Sequence, residues 1–265
     1  MTINTSVETT TGPRDLEVLY AAPPADGDKP PVLFVHGLGH AAWCWTDWML
    51  EAARAGHPAY ALSLRGHGGS GGSLRSASLG TYVDDVVHVA ATLPRRAVLV
   101  GHSMGGLVVQ KALARYGAAA GVLVAPVPAH PAIGSLLAIA RRHPLDAARM
   151  IAGGSLPLRP EYLVNQLPED AARRVSARCG KESSVAQYQL LLHRPSSAPR
   201  ASAPVLVLAT PDDALVPITD VRRTARRYGA ELREFPGMGH DLMLDGSWAG
   251  PARAMLDWLA ARASR

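Results

Sequence analysis

Short apolar runs bounded by turn residues recur along this chain: VLFV at 32–35, AYALSL at 59–64, AVLVG at 97–101, GVLVA at 121–125, PVLVLA at 204–209 and ELREF at 231–235. Most lack the apolar–polar alternation of a strand with one wet face. A continuous apolar strand is covered on both faces, which is the condition of a parallel sheet between layers of helices. Segments of helical character fall between the runs, near 43–55, 78–93, 104–116, 218–228 and 248–262. This alternation predicts an open, doubly wound α/β architecture, with DLEVLYAAP at 15–23 as an earlier edge strand.

One interval breaks the pattern. From Pro126 to about Pro204 no strand-like run occurs, and stretches such as SLLAIARRHPLDAARMIAG read as helix. A simple crossover is far shorter, so the economical expectation is a helical insertion over one end of the sheet. The 265 residues suit one α/β domain carrying such an insertion. We expect a core formed by residues 1–127 and 201–265, with a helical cap at 128–200.

Composition narrows the class of function. With 48% apolar and 18% charged residues the chain is of the soluble globular kind. Its formal charge of +5 could suggest an acidic partner, yet the basic residues are scattered. The densest group, Arg222, Arg223, Arg226 and Arg227, has helical spacing and no interleaved aromatic, so it reads as a solvated helix face and not as a nucleic-acid stripe. Cys44 and Cys179 stand far apart, outside any CxxC or Cys/His cluster, and read as two buried free thiols. The N-terminus lacks a basic and apolar leader, and no eighteen-residue apolar stretch exists, which points to the cytoplasm and to no membrane span.

In open α/β sheets ligands bind beyond the carboxyl ends of the strands, so those loops are where chemistry should sit. Gly101-His102-Ser103-Met104-Gly105 follows one strand and opens a helix. A tight strand-to-helix turn holds its central residue under strain and needs tiny neighbours two positions either side, which Gly101 and Gly105 supply. A serine hydroxyl needs a base, itself oriented by an acid. His240, in the FPGMGHDLML loop after the last strand, is the only histidine beyond residue 193 and is the candidate base. The penultimate strand runs into TPDDALVP, placing Asp212 and Asp213 in the acid position. Asp213 is preferred for its D-x-x-x-P spacing to Pro217, leaving Asp212 to shape the turn. After VLFV comes HGLGH, where the Leu38 N–H can join the Met104 N–H as an oxyanion hole. His36 braces this loop, and Gly37, Trp43 and His102 complete the expected pocket and its support.

These motifs together resemble the α/β-hydrolase family, of the capped, lipase- and esterase-like kind. The likeness covers nearly the whole chain: HGLGHAAWCW, LSLRGHGGS, GHSMGG, PDDALVP and GMGH occur in family order, with serine, aspartate and histidine in the sequence this fold uses. It implies a mostly parallel eight-stranded sheet, helices on both faces, and a helical cap inserted after strand 6. Arg65 and His67 in the LRGHGGS loop read as structural. Serine at position 103 disfavours the haloalkane dehalogenases and epoxide hydrolases of this fold, which carry aspartate there.

The expected reaction is hydrolysis of a carboxylic ester or thioester through an acyl-enzyme, with no metal or organic cofactor. Leu136, Leu137, Ile139, Met150, Ile151, Leu190 and Leu191 make an apolar pocket the expectation, suited to an acyl or lipid-like small molecule, lysophospholipid-like among others. Arg141, Arg142 and His143 read as surface. The same triad could serve carbon–carbon hydrolysis, lyase or cyclase chemistry, and the fold could serve as a ligand receptor.

Overall fold

The computed structural model describes residues 6–25 and 27–263. Its centre is an eight-stranded sheet in the order β1-β2-β4-β3-β5-β6-β7-β8. The strands are β1 (Val7–Thr11), β2 (Glu17–Ala21), β3 (Val32–Val35), β4 (Ala59–Leu62), β5 (Val98–His102), β6 (Ala120–Val124), β7 (Val205–Ala209) and β8 (Glu231–Glu234). β1 pairs antiparallel with β2, and β2 with β4; from β4 to β8 every pair is parallel.

The unbroken apolar runs have the cause expected of them. Leu33, Val35, Leu99 and Val207 point into one core layer, while their neighbours Val32, Phe34, Val98 and Leu206 point into the other. The first layer packs against α2 (Leu79–Thr92), α3 (Ser103–Leu113) and α9 (Ile218–Tyr228); the second packs against α1 (Thr46–Arg54) and α10 (Ala249–Ala263). Trp45, Trp48 and Trp258 fill that second layer and are almost wholly enclosed. Each large apolar side chain so buried contributes about 1.5–3 kcal/mol. α2 starts where its sequence says it should: the Ser78 hydroxyl accepts from Thr81 N at 3.2 Å and the Thr81 hydroxyl accepts from Ser78 N at 2.9 Å, a reciprocal cap.

Between β6 and β7 run α4 (Ile133–Arg142), α5 (Pro144–Ile151), α6 (Pro160–Leu163), α7 (Glu169–Arg178) and α8 (Ser184–Leu192). Two expectations change. Residues 15–23 are not the edge: β2 is flanked on its outer side by β1, whose VETTT sequence is mostly exposed and carries no apolar signal. Cys44 is buried, but Cys179 is only partly so, because it lies on the outer strap between α7 and α8. No helix among the described residues is long and apolar enough to cross a membrane.

Candidate active site

Ser103 stands at the junction of β5 and α3 with φ of +50°, a conformation that side-chain-bearing residues rarely hold. The surrounding glycines make the junction feasible. A Cβ at Gly105 would collide with the carbonyl oxygens of Val35 and His36, and one at Gly101 with the Gly105 carbonyl. The turn therefore packs backbone on backbone against the end of β3. Ser103 is 5% exposed, its hydroxyl makes no hydrogen bond among the described residues, and it lies in the wall of a narrow cavity of about 40 Å3.

His240 and Asp213 arrive from loops after β8 and β7 and meet directly, Nδ1 to Oδ2 at 2.7 Å. The other Asp213 oxygen accepts from the Leu215 and Val216 N–H groups at 2.8 and 2.9 Å, which fixes the carboxylate plane. Asp212 takes a different job: its Oδ2 accepts from Gly237 N at 2.6 Å and closes the turn. Burial lowers the His240 pKa, but the facing Asp213 charge and hydrogen bond, with help from Asp241, outweigh it and hold the imidazole above its ordinary value. The His240 ring lies 4.7 Å from that of His102, the residue preceding Ser103.

The loop after β3 is held group by group. Leu64 N donates to His36 Nε2 at 2.9 Å, so Nδ1 carries the proton and donates to Gly37 O at 2.8 Å. Burial, together with the nearby His67, pushes the His36 pKa well down, in keeping with a neutral brace. Leu38 N–H donates to no acceptor among the described residues, and Met104 N–H belongs to the first turn of α3, where helix amides have no internal partner. Trp43 does not line the cavity; its ring stacks on His40 at 5.6 Å and carries the Arg178 guanidinium 3.9 Å above it. His36, Gly37 and His102 likewise do not line it. Of the apolar insertion residues, Leu136, Ile139, Met150, Leu190 and Leu191 line it, while Leu137 and Ile151 are about half exposed on the outside.

One residue with no signal in the motifs is Asp241. Wholly buried beside His240, it binds His40 Nε2 through Oδ2 at 3.0 Å, and its Oδ1 lies 3.4 Å from His102 Nε2. His40 donates its other nitrogen to Leu38 O at 2.8 Å, so both ring nitrogens are donors and the ring is an imidazolium. Burial alone would lower the His40 pKa; the Asp241 charge and hydrogen bond raise it well above the ordinary value. Burial alone would raise that of Asp241, and His40 brings it below. The stabilisation by this pair is complete between the ordinary values of 3.8 and 6.5, and fades as pH falls through the lowered carboxylate or rises through the raised imidazolium. Asp241→Ala leaves a buried cation without its partner and is expected to lower the unfolding free energy by about 3–5 kcal/mol, measurable by urea titration at pH 6.

Among the described residues, His102, His240 and Asp241 form the one group whose ligand atoms lie near enough to share a cation, within 4.8 Å of one another. Their own bonds already occupy much of that capacity: His102 Nε2 faces His240 O at 3.2 Å, His240 holds Asp213, and Asp241 holds His40. The group fits a hydrogen-bonded support for His240 better than a metal centre.

A family profile described as "Alpha/beta hydrolase family" matches residues 32–253. A monoacylglycerol lipase of Mycolicibacterium smegmatis is 31% identical over 239 residues, covering 80% of this chain and 81% of that protein. Esterase PIR7B of Oryza sativa subsp. japonica is 34% identical over 121 residues, 43% of this chain and 44% of the esterase. The chain thus spans less than half the length of that rice esterase. Among solved structures, a soluble variant of monoglyceride lipase from Saccharomyces cerevisiae superposes with a TM-score of 0.76 at 14% identity, covering 98% of this chain and 97% of that one, a likeness of fold alone.

Proposed function

This chain belongs to the alpha/beta hydrolase family, and from that premise we propose that it is a serine hydrolase cleaving a carboxylic ester or thioester of a largely apolar small molecule through an acyl-enzyme. The observation that carries the reading is the His240–Asp213 bond of 2.7 Å, with the His240 ring 4.7 Å from that of His102, the neighbour of a strained Ser103 in the wall of an apolar cavity. His240 takes the Ser103 proton as the hydroxyl attacks the carbonyl carbon, and Asp213 holds the productive tautomer and balances the imidazolium. The Leu38 and Met104 amides receive the negative oxygen. His240 then gives its proton to the departing alkoxide or thiolate. Water, deprotonated by the same histidine, attacks the acyl carbonyl, and collapse of that second intermediate frees Ser103 and releases the acid. Residues 128–200 act as the cap, contributing Leu136, Ile139 and Met150 to the acyl side of the cavity.

The experiment is a chain-length screen of p-nitrophenyl esters and acyl thioesters, with an alkyl phosphonate as titrant. Turnover together with one phosphonate per chain, located on Ser103 by peptide mass, is the expected result; an active protein labelled elsewhere overturns the nucleophile. The base must be neutral to accept a proton, and His240 stands above its ordinary 6.5. The acid limb of kcat/KM is therefore expected to be half-maximal above pH 6.5. A profile that stays flat down to pH 5 would contradict this.

A further inference from the structure

Between α7 and α8 the chain forms a strap that lies directly on the loop after β3. Gly180 N donates to Gly39 O at 2.6 Å, and a Cβ at Gly39, whose φ is +63°, would stand 2.6 Å from the Gly180 carbonyl oxygen. Two residues on, Glu182 turns inward. Its side chain is 2% exposed. Oε1 accepts from Tyr82 OH at 2.6 Å and Ser183 N at 2.7 Å; Oε2 faces Gly39 N at 3.4 Å and His67 Nε2 at 3.2 Å. A buried carboxylate is costly unless donors surround it, and these donors come from α2, from the strap itself and from the loop that carries Leu38, with the His67 ring of the LRGHGGS loop alongside.

The consequence lies in the two peptide planes flanking Leu38. In the plane before it, Gly37 O is held by His36 Nδ1 at 2.8 Å and His40 N at 3.3 Å. In the plane after it, Leu38 O is held by His40 Nδ1 at 2.8 Å and Gly39 N by Glu182. Every polar group of those planes is tied down except the Leu38 N–H. Of these ties, the one to Glu182 comes from the inserted helices, with Gly180 beside it.

We propose that Glu182 is a positioning residue, which fixes the Leu38–Gly39 peptide so that the Leu38 N–H meets the oxyanion, and which thereby makes the donor site depend on the seated insertion. This rests on the ester-cleaving reading above. The charge of Glu182 reaches the reacting atoms only through the Gly39 amide, so its loss should weaken the transition state and leave ground-state binding nearly intact.

The test compares wild type, Glu182→Gln and Tyr82→Phe with p-nitrophenyl butyrate as substrate and butane-1-boronic acid as a tetrahedral adduct former on Ser103. Glu182→Gln is expected to lower kcat about tenfold or more, with KM within about twofold, and to weaken boronate by a similar factor. Tyr82→Phe removes a donor from Oε1, leaves Oε2 on Gly39, and should stay within about threefold of wild type on both readouts. A folded Glu182→Gln protein with native kcat and native boronate affinity overturns the proposal, as does an equal loss in both variants. Should Glu182→Gln not fold, Glu182→Asp keeps the buried charge, withdraws its reach and carries the same expectations. A wild type that binds boronate but turns over no ester removes the hydrolase reading instead, and the boronate ratio between wild type and Glu182→Gln still decides the role of Glu182.

Discussion

Ser103→Ala is expected to reduce kcat for ester hydrolysis by about 10^5- to 10^6-fold, the scale on which triad serines act when removed alone. The variant should keep its fold, because alanine meets the same backbone demand at φ of +50° and the crowded atoms around the turn belong to Gly101 and Gly105. Stability is thus expected to change by less than about 0.5 kcal/mol, within the range of substitutions that touch no structural bond. What would disappear is the proposed covalent route, since the Ser103 hydroxyl makes no hydrogen bond among the described residues and has no structural bond to lose. Residual turnover would come from the two amides and the His240–Asp213 pair acting on water. Stopped assays with p-nitrophenyl esters and phosphonate labelling read the two effects separately. A variant that retained even a tenth of native turnover would place the nucleophile elsewhere.

The parts of this molecule that were legible in the sequence are those whose causes are local. VLFV, AVLVG and PVLVLA read as buried parallel strands because both faces of each must be apolar, and the strands they form, Val32–Val35, Val98–His102 and Val205–Ala209, are wholly buried. Ser103, Asp213 and His240 could be named as candidates because each follows a strand at the same end of the sheet, and the turn glycines advertise a tight bend. β1 was illegible for the opposite reason: it is a mostly exposed outer strand, VETTT, that pairs with β2 through the backbone ladder and one bond from Thr10 Oγ1 to Val18 O at 3.0 Å. Asp241 and Glu182 were illegible because their meaning lies at long range. Asp241 meets a histidine 201 positions away and Glu182 a glycine 143 positions away. Neither partner could be inferred before the loop after β3, the strap and the loop after β8 were brought together. Cys179 went astray in the same way. Its sulfur faces His40 at 3.6 Å at the edge of that assembly, a place no spacing rule identifies.

Asp213→Asn is expected to lower kcat about 10^4-fold, whereas Asp212→Asn should remain within about threefold of wild type, although the two aspartates are adjacent. The geometry separates them. Asp213 accepts from His240 Nδ1, and its remaining oxygen is committed to the Leu215 and Val216 amides. An asparagine there must keep its carbonyl oxygen on those two amides, which turns its NH2 toward the imidazole. The ring then has to present Nδ1 as an acceptor and carry its proton on Nε2, the tautomer that cannot take a proton from Ser103. Asp241 cannot substitute, since one of its oxygens is held by His40 and the other lies nearest His102. Asparagine fills the same space as the aspartate, so the variant should fold normally while its turnover collapses. Asp212 by contrast supports only the Gly237 amide, and the asparagine carbonyl can accept the same bond. If the two variants lost activity equally, the acid would be shared, and the 2.7 Å contact between Asp213 and His240 would not be what orients the base.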